Sequence, residues 1–415
     1  MFVVNYEKVL ECLDTEGLIR FVQDVVRIDS VYDPGVPGAD ESRVTEFVSK
    51  FLRDDGFEVH LDEVAPGRTN IVAFLRGEAG GKTILMEGHQ DVVSIGNREE
   101  WKYDPFGAEI VERDGKKVMY GRGSNDTKGN MGAAIFAARA IRDSKIPFKG
   151  NILLCIPVDE EGMMIGIKHF IEKGWAKGVD GALICEPEEK HLCVFQKGAL
   201  RFRITFHGTQ CHGCMPLTGN DPNWALARFI VELRQLENFE KDRLGKHEFL
   251  GWPSFTPTVL QAPVTGVAQL NVVPKEASLA LDVRTVPGQE HDGIRRQIQG
   301  IVDRLSRQHS SGDDKFSATI EQLDDRPWTE ISRDHPLVAS AARAYREVMG
   351  REEIYDGVPG ATDGTFLQAW NNIPVLVTGA GDREIPHHVD EWVEIDDVIE
   401  ASKIFALTAL YFMES

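Results

Sequence analysis

Three short apolar runs in the first half of the chain end directly in ionisable residues. Residues 83–86 lead into Glu87-Gly88-His89-Gln90-Asp91, residues 151–158 into Asp159-Glu160-Glu161, and residues 181–185 into Glu186-Pro187. Apolar runs of this length between polar loops read as buried strands. Helical patterns at 15–28, 41–55 and 130–143 alternate with them, the last carrying alanines on its packing face. Strands alternating with helices imply an α/β sheet, in which ligands bind at the carboxyl ends of the strands. The pattern therefore sets histidine and acidic side chains at the edge where such a sheet does its chemistry.

Two further stretches add to the set. Gly121-Arg122-Gly123-Ser124-Asn125-Asp126 is a glycine-framed loop just before a helix, and Pro386-His387-His388-Val389-Asp390-Glu391 follows an apolar strand at 373–378. Two histidines and three carboxylates are what two neighbouring divalent ions need when one carboxylate bridges them. Asp126 has one oxygen for each ion, and Asp91 can accept the proton on the second ring nitrogen of His89. Adjacent residues point in different directions, so Glu161 reads as a ligand and Glu160 as a general base. Plainer alternatives stand beside each stretch: a surface histidine next to an N-capping Asp91, a phosphate-cradling loop at 121–129, a solvated acidic turn at 159–161, and a solvated histidine pair at 387–388.

With 415 residues the chain can bury more than one core. The texture changes near Gly198, where strands at 200–206, 256–264, 277–284 and 316–323 alternate with helices at 223–237 and 293–308. This β-α-β-β-α-β order predicts a small α+β insert. After residue 324 the first texture resumes, with a helix at 336–349 and a last helix from Ile395. The expected division is 1–197, 198–324 and 325–415. A net charge of -20 without a basic run argues against nucleic acid or an acidic membrane as partner. The start, Met1-Phe2-Val3-Val4-Asn5, does not read as a signal peptide, and no apolar run approaches the roughly 20 residues that span a bilayer. Six cysteines make no disulfide framework at this length, so the cytoplasm is the expected compartment. Cys211-His212-Gly213-Cys214 has CxxC spacing, but neither a second pair nor a thioredoxin-like setting accompanies it.

Taken together, Gly88-His89-x-Asp91, Trp101-x-x-x-Pro105-Phe106, the 121–129 loop, Asp159-Glu160-Glu161, Glu186-Pro187 and the His-x-x-x-Glu ending at Glu391 resemble the M20 family of metallopeptidases and deacylases. The resemblance spans nearly the whole chain. It implies a zinc-exopeptidase-like α/β catalytic domain with an inserted ferredoxin-like α+β lid, through which the chain forms a homodimer. It also implies two divalent metal ions, zinc in the first place with cobalt or manganese as substitutes. His89 and Glu186 would hold one ion, Glu161 and His387 the other, with Asp126 bridging and a cis peptide at Asp126-Thr127. Asp91 and Glu160 would be catalytic. His212, in Gly208-Thr209-Gln210-Cys211-His212, would reach a partner subunit's site and steady the oxyanion, while Asn271, Arg284 and Gly360 would bind substrate. From the residues themselves, the alternative for Arg284 is an outward strand residue paired with Asp282 or a neighbouring strand. The implied reaction is hydrolysis of an N-acyl amino acid, with a metal-bridging water as nucleophile and Glu160 as base. A metallo-dipeptidase or carboxypeptidase and a noncatalytic binding relative are the alternatives. Ser94 stands where the family often has Pro, and Gln196-Lys197 and Gly360-Ala361-Thr362-Asp363-Gly364 depart from the desuccinylase pattern, which argues against a succinylated diaminopimelate substrate.

Overall fold

A computed structural model describes residues 6–309 and 317–415; the amino-terminal residues read above and Phe316, expected to open a strand, lie outside them. The chain divides into two compact units, one of Met1–Phe195, Thr329–Val358 and Thr362–Ser415, the other of Gln196–Trp328 and Pro359–Ala361.

In the first unit, the apolar runs form a mixed sheet, nine-stranded among the described residues. Its order runs Glu58–Ala65, Arg68–Arg76, Lys149–Ile156, Glu78–Glu87, Gly181–Ile184, Val375–Val377, Leu192–Gln196, Thr329–Glu330, and Tyr355–Val358 pairs with Leu192–Gln196. The four strands from Lys149–Ile156 to Val375–Val377 are mutually parallel, with Glu87 level with Cys155 and Ile184, and Ile184 level with Val377. Their carboxyl ends consequently share one edge. Alternation sorts the side chains between the two faces of the sheet. Leu85, Leu153 and Ile184 pack with Ile167, Phe170, Phe366 and Leu367 in one buried cluster. The helix Ile395–Glu414 is apolar on most of its surface and is buried along nearly its whole length. A Cβ on Gly181 would lie 2.8 Å from the ring of Phe412, so glycine is what lets this helix approach the sheet closely.

The second unit is an α+β module. Its antiparallel sheet has the order Ser254–Gln261, Glu276–Thr285, Gly198–His207, Ser317–Arg326. Helices Pro222–Leu244 and His291–His309 supply Phe229, Leu233, Ile298 and Leu305 to a core shared with Phe202, Ile204, Leu279 and Leu281. Chain order and sheet order together are ferredoxin-like.

Several elements differ from the sequence reading. The helix expected to end at 237 continues to Leu244, with Lys241 paired to the buried Glu237 and Arg243 to the buried Glu240 before Gly245 caps it at φ 74. The helix expected to reach 28 closes at Val26. A three-stranded sheet of Glu109–Arg113, Lys116–Tyr120 and Trp392–Glu394 had no counterpart in the reading, since its strands are short and charged. Its turn, Asp114-Gly115, has φ 53 and 79, the positive pair that an Asp-Gly hairpin favours. That dipeptide was the available signal. No helix among the described residues is long and apolar enough to cross a membrane.

Leu85 is fully buried at the centre of the large sheet. Leu85→Ala should therefore lower unfolding stability by about 2–5 kcal/mol, read as an earlier urea transition; an unchanged midpoint would place this strand outside the cooperative core.

Candidate metal centre

Each ionisable residue at the carboxyl edge arrives there by a short, fixed path. His89 follows Glu78–Glu87 by two residues, Glu186 follows Gly181–Ile184 by two, and His387 sits at φ 68 in the loop after Val375–Val377. Asp126 closes the glycine loop, and the Asp126–Thr127 peptide is cis. The imidazole Nε2 of His89 lies 3.1 Å from Asp126 Oδ1 and 3.7 Å from Glu186 Oε1. His387 Nε2 lies 3.0 Å from Glu161 Oε1 and 3.5 Å from Asp126 Oδ2. Two groups result, His89–Asp126–Glu186 and Asp126–Glu161–His387, each with its ligand atoms within 4.8 Å of one another. Asp126 belongs to both through different oxygens. Of the two adjacent histidines, His387 is the one whose ring enters a group.

The electrostatics of the cluster suit cations. Burial pushes the carboxyls of Glu160 and Glu186 well above the usual range, and neighbouring carboxylates add to the shift while His89 opposes it. Glu161 is raised for the same first reason, with Asp126 next. Burial also opposes ionisation of Asp126, yet hydrogen bonds from His387 and His89 hold its carboxyl below the usual range. Hydrogen bonds to Asp126 and Glu161 raise His387 to about 10. Burial opposes protonation of His89, yet its bond to Asp126 together with the negative charges of Glu186, Asp91 and Glu160 holds it above the usual histidine range. The buried Glu186 Oε1 makes no hydrogen bond. A cluster of carboxylates with two imidazoles and an unsatisfied buried oxygen fits divalent cations that take N and O donors, such as zinc, cobalt or manganese.

Behind these side chains lies a supporting layer, and here Asp91 differs from expectation. It is the backbone carbonyl of Asp91 that accepts from His89 Nδ1 at 3.0 Å, while its carboxylate is 3.6 Å away. That carboxylate instead accepts the N–H groups of Glu160 and Glu161, each at 3.1 Å. An ordered acceptor for two consecutive amides at the turn outcompetes a side-chain bond to the ring. Glu391 is the residue that the sequence reading passed over except as the end of a motif. It is fully buried, pairs with Arg122, and accepts the N–H groups of Asn125 and Asp126 at 3.0 Å. Thr127 Oγ1 donates to Cys185 O at 2.7 Å, tying the glycine loop to the strand that precedes Glu186. Glu87, immediately before Gly88, is wholly buried with neither oxygen hydrogen-bonded, and burial together with nearby carboxylates pushes it up to about 8.

The other expected site residues belong to the second unit. His212 and Asn271 are neighbours there, because Cys211–His212 pairs with Val272–Val273 and Gly213 N donates to Asn271 O at 2.7 Å. Both side chains are exposed, and His212 Nδ1 accepts from Cys214 N. Arg284 is an outward strand residue whose Nε lies 2.9 Å from Asp282 Oδ1. Gly360 falls in the Pro359–Ala361 segment of this unit.

The description of peptidase family M20/M25/M40 matches residues 85–411. A probable succinyl-diaminopimelate desuccinylase of Staphylococcus aureus (strain MRSA252) is 27% identical over 391 residues, covering 88% of this chain and 93% of that protein. The N-formyl-4-amino-5-aminomethyl-2-methylpyrimidine deformylase of Bacillus subtilis (strain 168) is 27% identical over 407 residues, covering 94% and 93%. Among solved structures, the di-peptidase Dug1p of Saccharomyces cerevisiae shares the fold with a TM-score of 0.77, at 19% identity and 99% coverage of both chains.

Ligands must be deprotonated to bind a cation, so uptake should release protons from the two imidazoles. The apparent affinity should climb as pH rises from neutrality toward about 10, the raised value of His387. In the cation-free protein, the His387 pairs stabilise the fold fully below the ordinary histidine value of 6.5, and that contribution is lost as pH rises through about 10. Calorimetry of zinc binding in buffers of different ionisation enthalpy counts the protons; binding without proton release would remove these imidazoles from the site.

Proposed function

Because the chain belongs to peptidase family M20/M25/M40, we propose that it is a two-metal amidohydrolase that cleaves the amide bond of an N-acyl amino acid. The observation that carries this reading is the pair of donor groups joined by Asp126, with the buried carboxyl of Glu160 in the same acidic turn as Glu161. In it, His89 and Glu186 would hold one cation and Glu161 and His387 the other, with Asp126 shared between the two groups. When bound, two divalent cations supply a water of lowered pKa and a Lewis acid for the carbonyl oxygen. Glu160 accepts the proton of the attacking water on its carboxylate and delivers it to the departing amide nitrogen. Asp91 keeps the backbone of Glu160 and Glu161 fixed and orients the His89 ring through its carbonyl.

The second unit serves in this reading as lid and dimerisation module. His212 donates to the developing oxyanion from a partner subunit, a role in which one lost donor costs about 3–4 kcal/mol. Arg284 grips the substrate's free carboxylate in a fork, exchanging its present bond to Asp282, with Asn271 and the Gly360 backbone beside it. The stripe of exposed Trp224, Val231 and Phe239 on helix Pro222–Leu244 supports a dimer, since residues seven and eight apart share a helix face.

Three measurements test this. Zinc-loaded protein, with a metal-stripped control, is offered a mixed library of N-acyl amino acids and unblocked dipeptides, and amine release is followed by mass spectrometry. Cleavage of the acylated set supports the proposal, cleavage of dipeptides alone replaces it with a dipeptidase, and no cleavage by protein holding two metals sinks it. Glu160→Gln should keep both metals and lose about 10²–10⁴-fold in kcat; retained turnover removes Glu160 as base. Mixed dimers of inactive His212→Ala and Glu160→Gln subunits should regain activity, and proven heterodimers that stay inactive argue that His212 does not act across the interface.

A further inference from the structure

The turn after the Lys149–Ile156 strand carries Glu160 and Glu161, and their side chains are held differently. Glu161 meets His387 at 3.0 Å. The Glu160 side chain is buried on the same turn, and its aim depends on how its own backbone is held. Asp91 fixes that backbone from one side, at the two N–H groups of Glu160 and Glu161. The other side is fixed at Asp159.

Asp159 has φ 66, a conformation that aspartate tolerates because its short side chain can bond locally. Its Oδ2 accepts from Met163 N at 2.8 Å and its carbonyl from Met164 N at 2.8 Å, wrapping the turn around it. Its Oδ1 lies 2.7 Å from Arg68 Nη1. Arg68 opens the neighbouring strand Arg68–Arg76 and is 4% exposed, and its Nε donates to Glu41 Oε2 at 2.9 Å. The Tyr32 ring covers the guanidinium at 3.6 Å. Guanidinium is the one side chain that can hold two carboxylates in fixed directions from a buried position.

We propose that Arg68 is a positioning residue for the reaction. By locking Asp159, it sets the direction in which Glu160 points, an assignment that rests on Glu160 being the base. A purely structural role for the same cluster, balancing buried charge, makes a different prediction.

The test compares Arg68→Met, the double variant Arg68→Met/Glu41→Leu and Asp159→Asn, each with its metals retained. The double variant removes the buried charges of Arg68 and Glu41 together, which folds tolerate better than the loss of one partner, and leaves Asp159 only its bonds to the turn amides. A small misplacement of a reacting group costs about 100-fold, so kcat should fall by about that factor in the double variant while KM and metal content hold. Combining Arg68→Met with Asp159→Asn should lower kcat little beyond either change alone, as expected for one coupled unit. Hydrogen exchange at the amides of Met163 and Met164 should quicken in every variant. A double variant with wild-type kcat and unchanged exchange overturns the proposal. If neither Arg68 variant folds, Asp159→Asn decides by the same readouts, since it leaves the Arg68–Glu41 pair intact. If the wild-type protein cleaves nothing in the library, the amidohydrolase reading falls and the positioning role falls with it, and exchange then tests only the lock of Arg68 on the Asp159 turn: quickened exchange keeps that lock, whereas unchanged exchange discards it as well.

Discussion

Negative charge crowded into a low-dielectric pocket governs the first unit. Asp126, Glu160, Glu161 and Glu186 are gathered at one sheet edge with Glu87 and Asp91 behind them, and burial resists ionisation of each. Such a set is stable only if cations face it or protons neutralise it. The two imidazoles partly answer this from the front. From behind, buried bases are paired outward: Arg122 with Glu391, Arg68 with Glu41 and Asp159, and Lys128, lowered by burial to about 7, with Ile28 O at 2.7 Å. These pairs hold loops in place while leaving the front carboxylates uncompensated for a ligand of opposite sign. Support and chemistry are thus separated by the direction in which each base points.

Convergence at that edge depends on parallel pairing. Only because Glu78–Glu87, Lys149–Ile156, Gly181–Ile184 and Val375–Val377 run the same way do residues almost 300 positions apart, His89 and His387, reach a common carboxylate. The hairpin Glu109–Tyr120 contributes from outside the large sheet. It delivers Gly121 to Glu391, whose carbonyl accepts the Gly121 N–H at 2.9 Å, and the Glu391 carboxylate then shapes the loop that ends in Asp126. The position of one shared residue is therefore fixed by two separate sheets.

Much of this was legible in the chain. Apolar runs ending in acid or histidine disclosed the strands and the edge at which they finish, and the change of texture at Gly198 disclosed the insert's element order. What could not be read were interactions that join distant residues without a pattern of their own. Glu391 looks like any acid in a polar loop until Arg122 and two amides converge on it. The carboxylate of Asp91 was assigned to the His89 ring because the two are close in sequence, whereas the turn at Glu160 competes for it from 69 positions away. The charged hairpin around Asp114-Gly115 has too little apolar alternation to register as strands, although its turn dipeptide marks it. Local pattern reports burial and period; it is silent on which buried acceptor meets which amide.

Asp126 presents one oxygen to each donor group. A carboxylate divided in this way cannot respond to one neighbour without altering what it offers the other. Charge drawn toward one side, or a small rotation about its Cβ–Cγ bond, changes the free energy of binding on the opposite side, and linkage makes that influence equal in both directions. In the proposed two-metal reading, filling of the two positions would consequently be a cooperative equilibrium of a single unit.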